Sequence, residues 1–207
     1  MIGEVPAVII IADTHGDMGA FAHKKIRSLK DDDLFILGDF GFLWENTEKE
    51  HKDLKKIGSR RHNTFFIEGA NDDMSLYKDI PQEDMFGGKG RCIYGNLFLL
   101  SPGVYEIGGK KILLCGTPAL ADAPATEEAV MDELKLHAMT VDIVMTHEPP
   151  ASVGEFLTGN ANSGTLGFFF DQLKKELKFD MWYFGMLHMN KIIPPKYRAV
   201  FDEPVEL

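Results

Sequence analysis

Ala7-Val8-Ile9-Ile10-Ile11-Ala12-Asp13-Thr14-His15 is an unbroken apolar run that ends in a carboxylate and an imidazole. A short apolar run of this kind predicts a strand. The same layout recurs three times. Leu34-Phe35-Ile36-Leu37 precedes Gly38-Asp39, Val141-Asp142-Ile143-Val144-Met145 precedes Thr146-His147, and Trp182-Tyr183-Phe184 precedes Gly185-Met186-Leu187-His188. In open α/β sheets ligands gather beyond the carboxyl ends of the strands, so these acidic and histidine-bearing ends can converge.

Between these strands the apolar period lengthens. Met18, Phe21, Ala22, Ile26 and Leu29 recur at helical spacing and predict a helix over Met18 to Lys30, followed by a polar helix from Glu48 to Gly58. A third strand is expected from Thr64 to Glu68, running into Gly69-Ala70-Asn71-Asp72-Asp73. Leu97–Leu100, Val104–Ile107 and Lys111–Cys115 are short strands, the last two joined through Gly108-Gly109-Lys110, which predicts antiparallel pairing. Further helices are expected from Thr126 to His137, starting after Pro124 with acidic residues in its first turn, and from Thr165 to Leu177. Asn160–Gly164 is expected to be a surface loop, and Asp31-Asp32-Asp33 a solvated turn. The chain therefore reads as one α/β domain over residues 1–207, a layered sandwich that is parallel at its start and antiparallel toward its middle and end.

Composition narrows the partners. With 22 basic and 32 acidic residues the formal charge is −10, which disfavours nucleic acid and anionic membranes, since phosphate backbones are held chiefly by Lys and Arg. A small phosphate-bearing ligand remains compatible, because a bound metal reverses the local field. No apolar run approaches the roughly 20 residues of a membrane-spanning helix, and no basic-then-apolar leader opens the chain, so the expected location is the cytoplasm. Cys92 and Cys115 are too few for a disulfide framework and are expected to be buried thiols.

Individually, Asp13, His15, Asp39, His147 and His188 are weak signals, for an Asp after a strand is commonly a helix cap and a single His is commonly structural. Together they supply two carboxylates and three imidazoles at four strand ends. That mixed oxygen and nitrogen set suits manganese, iron or zinc, with too little oxygen for calcium. His23, His51, His62 and His137 read as surface or partly buried residues, and Phe168-Phe169-Phe170 as a broad buried helix face. Phe42 and Trp44 follow Asp39 and are candidates either for a cleft wall or for packing against the next helix.

At these residues the chain resembles the calcineurin-like metallophosphoesterases, whose signature is Asp-x-His, Gly-Asp, Gly-Asn-His-Asp/Glu, a lone His after a strand, and Gly-His-x-His. The similarity covers nearly the whole chain, and Gly38-Asp39-Phe40-Gly41-Phe42-Leu43-Trp44, Gly87-Gly88-Lys89 and Trp182-Tyr183-Phe184-Gly185 resemble a compact bacterial and phage branch. The resemblance implies a layered β-sandwich flanked by helices. It further implies two metals bridged by Asp39, and hydrolysis of a phosphate mono- or diester by metal-bound hydroxide.

Carried over by position, the first metal would be held by Asp13, His15, Asp39 and His188. The second would share Asp39 and use His147, but Met186 stands where the family has the first His of Gly-His-x-His, and a thioether suits a hard cation poorly. Aligned without a gap, Ala70 occupies the ligand Asn position and Asn71 that of the His acting on the leaving group; this keeps Gly69 and the acidic Asp72 in place. With a one-residue bulge after Gly69, Asn71 becomes the ligand and Asp72 takes the His position. Asn71 and Asp72 are thus the candidate catalytic residues, with one metal site formed and the second depleted. The function implied is a metal-dependent phosphoesterase of attenuated activity. The alternative is a non-catalytic relative binding a phosphate-containing ligand or a protein partner.

Overall fold

The computed structural model describes residues 6–161 and 164–207. In chain order the strands are β1 (Val8–Ile11), β2 (Asp33–Ile36), β3 (Asn63–Phe66), β4 (Glu83–Met85), β5 (Gly88–Tyr94), β6 (Leu97–Leu100), β7 (Gly103–Ile107), β8 (Lys110–Cys115), β9 (Ile143–Thr146), β10 (Met181–Phe184), β11 (Lys191–Ile193), β12 (Tyr197–Ala199) and β13 (Val205–Glu206). The helices are α1 (Lys24–Arg27), α2 (Glu48–Gly58), α3 (Ala123–Leu136), α4 (Ala151–Thr158) and α5 (Gly167–Glu176).

The strands form a seven-stranded sheet, ordered β13-β1-β2-β3-β6-β5-β4, and a six-stranded sheet, ordered β11-β12-β10-β9-β8-β7. Successive side chains of a strand point to opposite faces, and three apolar layers follow from that alternation. Ile10, Phe35 and Phe65 of the first sheet pack with Ile112, Leu114 and Met145 of the second in a common core. Ile9, Ile11 and Phe66, on the reverse face of the first sheet, meet Phe21, Ile26, Leu54 and Ile57 from the segments around α1 and α2. Leu113, Val144 and Trp182, on the reverse face of the second, meet Val130, Val153, Phe170 and Leu173 from α3, α4 and α5. The result is helices, sheet, sheet, helices.

Several expectations are corrected. The region from Met18 to Lys30 is not one helix: a 3-10 turn over Met18–Ala22, capped by Asp17, ends at His23 before the single turn of α1. α3 begins before Pro124, which sits in its first turn, and no acidic residue occupies that turn. Proline is tolerated there because the amide it lacks would have no intrahelical partner. The second sheet is not mainly antiparallel, since β8, β9, β10 and β12 run parallel and only its edge strands β7 and β11 reverse. Helix α4 follows Pro149-Pro150 directly and has no counterpart in the sequence reading. α2 has the expected limits, with a reciprocal cap between Thr47 and Glu50.

Smaller departures are local. Cys92 is exposed although Cys115 is buried, and His62 and Asp33 are buried. Of the Phe168–Phe170 run only Phe170 is fully buried, while Phe168 lies open to solvent. Phe42 is core, edge-on to Phe21, whereas Trp44 is exposed. The Asn160–Gly164 loop includes residues 162 and 163, which lie outside the described residues. No helix among the described residues is long and apolar enough to cross a membrane.

Candidate metal centre

Parallel register carries the ligand-bearing loops to one edge. Ile11 is level with Ile36, which is level with Phe66, and in the second sheet Thr146 is level with Phe184. Each strand then releases its chain at the same height. The first two loops zip together through the amides of Asp13, His15 and Gly16, which donate to the carbonyls of Gly38, Asp39 and Phe40. The loop after β9 closes on them from the opposite sheet, with His147 Nδ1 3.0 Å from the Leu37 carbonyl oxygen.

Asp13, Asp39 and His147 are all buried, and one donor atom from each lies within 4.8 Å of the others. His147 Nδ1 is 3.4 Å from Asp13 Oδ1, and His147 Nε2 is 3.6 Å from Asp39 Oδ1. A carbonyl oxygen only accepts, so Nδ1 carries the proton that bonds Leu37, and burial lowers the His147 pKa, leaving the ring neutral. Nε2 therefore presents a lone pair toward a carboxylate. It has no hydrogen-bond partner. Two acceptors facing each other in a buried space are unfavourable unless a cation lies between them, and a ring nitrogen fixed by a backbone carbonyl is the usual arrangement of a metal-ligating His. This group can hold one metal ion.

His15 and His188 form the exposed flank. Their Nε2 atoms are 3.0 Å apart, His15 Nδ1 is 4.0 Å from Asp39 Oδ2, and the His188 ring stacks on Phe201. The set Asp13, His15, Asp39 and His188 expected for the first metal is thus divided. The two aspartates lie closest to His147, while His15 is 4.0 Å from Asp39 at the solvent edge with His188 against it. Asp13, His15, Asp39, Met186 and His188 all have left-handed backbone, with φ between 46 and 66°. Non-glycine residues held there cost about 1–3 kcal/mol each and concentrate at functional sites.

Local chemistry explains how this strain is held. The Met186 amide donates to both oxygens of Asp13, at 3.2 and 2.9 Å. That contact lowers the Asp13 pKa but is outweighed by burial and then by the Asp39 charge, which push the carboxyl up to about 8. Gly38 has φ +81°, and a Cβ there would lie 2.2 Å from His147 Nδ1, so the strand can leave β2 beneath the imidazole only without a side chain. A Cβ on Gly69 would lie 1.9 Å from the Asp39 amide nitrogen.

The Gly69-Ala70-Asn71-Asp72 segment bears on the two alignments. Ala70 is exposed, whereas Asn71 donates to Asp39 twice, from its amide nitrogen at 2.9 Å and from Nδ2 at 2.7 Å. Asn71 is therefore the residue of this segment that borders the cluster. Asp72, the other candidate catalytic residue, is bonded to the backbone. Its carboxylate accepts from the amides of Phe40, Gly41 and Gly69 at 3.2, 3.0 and 2.9 Å, which staples the Asp39 loop to the segment after β3 and leaves it committed to the backbone.

Glu148 was missed by sequence reasoning. It is fully buried next to His147, and its Oε1 accepts from the Leu166 amide at 2.6 Å and the Thr117 hydroxyl at 3.5 Å. The signal was present in Thr146-His147-Glu148-Pro149-Pro150, where two ionisable residues separate a buried strand from two prolines.

No protein-family model matches this chain, and no curated protein matches it. The functional reading therefore stands on the chemistry of the residues themselves.

Proposed function

We propose that the chain is a metal-dependent phosphoesterase related to the calcineurin-like enzymes, hydrolysing a phosphate mono- or diester. The observation that carries the reading is the buried, unpartnered Nε2 of His147 facing the Asp39 carboxylate, at an edge where Asp13, His15 and His188 also arrive. The donor set fits manganese, iron or zinc. When bound, such an ion supplies Lewis acidity toward a phosphoryl oxygen and lowers the pKa of water.

The chain's own residues do the rest. Asp13, Asp39 and His147 hold the ion, and His15 and His188 complete its exposed side. Asn71 fixes the Asp39 carboxylate. His15, half-exposed beside Asp39 with its Nε2 against that of His188, belongs to that exposed side. Preorganised donors around developing charge carry most of phosphoryl transfer, and the rigid, strained loops described above supply that preorganisation.

The test is hydrolysis of 4-nitrophenyl phosphate and bis(4-nitrophenyl) phosphate with manganese added. Metal-dependent turnover that Asp39→Asn abolishes supports the reading. A chain that binds manganese and turns over neither ester is instead the non-catalytic ligand-binding relative, which the thioether of Met186 favours.

A further inference from the structure

An open cavity of about 520 Å3 has two residues of the centre, Asp13 and His15, in its wall, so one ligand can touch both the metal-binding edge and the cavity. Its volume is that of ordinary small-molecule sites, roughly 300–1,000 Å3. Beyond the two centre residues, Ile11, Ala12, Ala20 and Phe201 give the wall an apolar stretch. Phe201 is fixed in place from both sides of its backbone. Its amide donates to Asn190 Oδ1 at 2.9 Å, and its carbonyl oxygen accepts from the Ala12 amide at 2.9 Å. Its ring stacks on that of His188, with centroids 4.9 Å and planes 25° apart, whereas His188 itself does not line the cavity. Phe201 therefore stands between the exposed imidazole and the cavity as a preorganised aromatic surface.

The polar groups of the wall narrow what can sit there. No Lys or Arg lines it among the described residues. Asp17 accepts from the Gly19 amide at 2.7 Å, Asp202 accepts from Asn190 Nδ2 at 2.8 Å, and both residues are exposed. His23, also on the rim, accepts from the Lys25 amide through Nδ1 at 3.3 Å. An anionic group brought against the apolar wall gives up hydration that no basic side chain replaces. A cation gains little from exposed carboxylates, which solvent and salt screen. An uncharged ring, in contrast, buries apolar area against Ala20 and Phe201 and meets an aromatic face.

We propose that the ester taken by this site has an uncharged aromatic alcohol, seated in this cavity against Phe201 and Ala20. This rests on the phosphoesterase reading for the placement of the phosphate. The test titrates benzylphosphonate and ethylphosphonate, whose carbon–phosphorus bonds resist hydrolysis, into manganese-loaded protein by calorimetry. The benzyl compound is expected to bind at least about tenfold more tightly, a difference of roughly 1.4 kcal/mol. A carboxylate added to the far end of its ring should cancel that gain. Ala20→Leu, which fills the cavity from a residue outside the centre, should lower the benzyl compound to the affinity of the ethyl compound and leave the latter unchanged. Phe201→Leu, which keeps the apolar bulk and removes the ring, should narrow the gap. Equal affinities in the parent, a ring carboxylate that costs nothing, or a gap that survives both substitutions overturns the proposal. Hydrolysis of phenyl phosphate, run alongside, keeps the readings apart. Selective binding without turnover removes the hydrolase and keeps the aromatic site, whereas turnover with equal phosphonate affinities keeps the hydrolase and removes the aromatic site. Binding of neither phosphonate takes the phosphate off the metal and the proposal with it.

Discussion

Nε2 of His147 lies 3.6 Å from Oδ1 of Asp39, buried and without a hydrogen-bond partner, where the loop after β9 of one sheet meets the loop after β2 of the other. The two sheets thus meet at an edge where this one pair of acceptors is complementary to a cation and not to each other. His147 is accordingly expected to matter more for metal binding than the exposed His188. His147→Gln should weaken manganese binding by more than the roughly 10–100-fold that outer partners of a metal site contribute, measured by titration calorimetry. In the parent chain, manganese at 100 times its dissociation constant should stabilise the fold by about 2.7 kcal/mol in a urea denaturation series. If His188→Gln costs more affinity than His147→Gln, the ion lies on the exposed flank.

Gly38→Ala tests whether the absence of a side chain beneath His147 positions the ring. The added Cβ has backbone φ +81° and stands 2.2 Å from Nδ1, while at Gly159, with φ +73°, nothing lies within 4 Å. Gly159→Ala should therefore show only the left-handed penalty of about 1–2 kcal/mol and retain manganese. Gly38→Ala should lose that plus about 1–3 kcal/mol of overpacking, with manganese binding lost as well. Equal effects of the two substitutions on metal affinity would show that the ring is held some other way.

Asp72→Asn removes acceptor capacity from a carboxylate that serves three amides. The expected cost is about 1–3 kcal/mol, since a buried amide left unsatisfied carries its full desolvation penalty. Because two of those amides follow Asp39 directly, manganese affinity should fall with it. Asp72→Asn that folds with parental stability and loses only turnover would return Asp72 to a catalytic role.

Glu68 sets a pH dependence. Burial first, then the charges of Asp72 and Asp122, raise its pKa from 4.5 to about 7. A carboxyl whose folded pKa lies above its unfolded value contributes fully below the unfolded pKa, and that contribution is lost as pH rises through the folded one. Glu68→Gln should consequently stabilise the metal-free protein relative to the parent much more at pH 8 than at pH 5, as measured by urea denaturation. A difference of the same size at both values would refute the assignment.

The strand ends at Asp13, Asp39, His147 and His188 were legible because each is a local event, a buried apolar run followed by a polar or glycine-bearing exit. The limits of α2 were legible for the same reason, through the Thr47–Glu50 cap. The break of the expected Met18–Lys30 helix at His23 was not, because its apolar spacing is satisfied equally well by a 3-10 turn that buries Phe21 and one α-turn that buries Ile26. Local periodicity cannot distinguish them, and the packing decides.

By itself, the sequence determined which residue types stand at the carboxyl ends of buried strands, and hence the chemistry available at one edge. Which of them meet was decided by tertiary structure alone. Parallel register in both sheets brings His147 between Asp13 and Asp39 and leaves His15 and His188 on the exposed side, and the turn after Gly69 carries Asn71 to Asp39 while Ala70 faces solvent. The physical reason is distance along the chain. Asp39 and His147 lie far apart in the sequence and on different sheets, and no local preference encodes a spacing of 3.6 Å across that span.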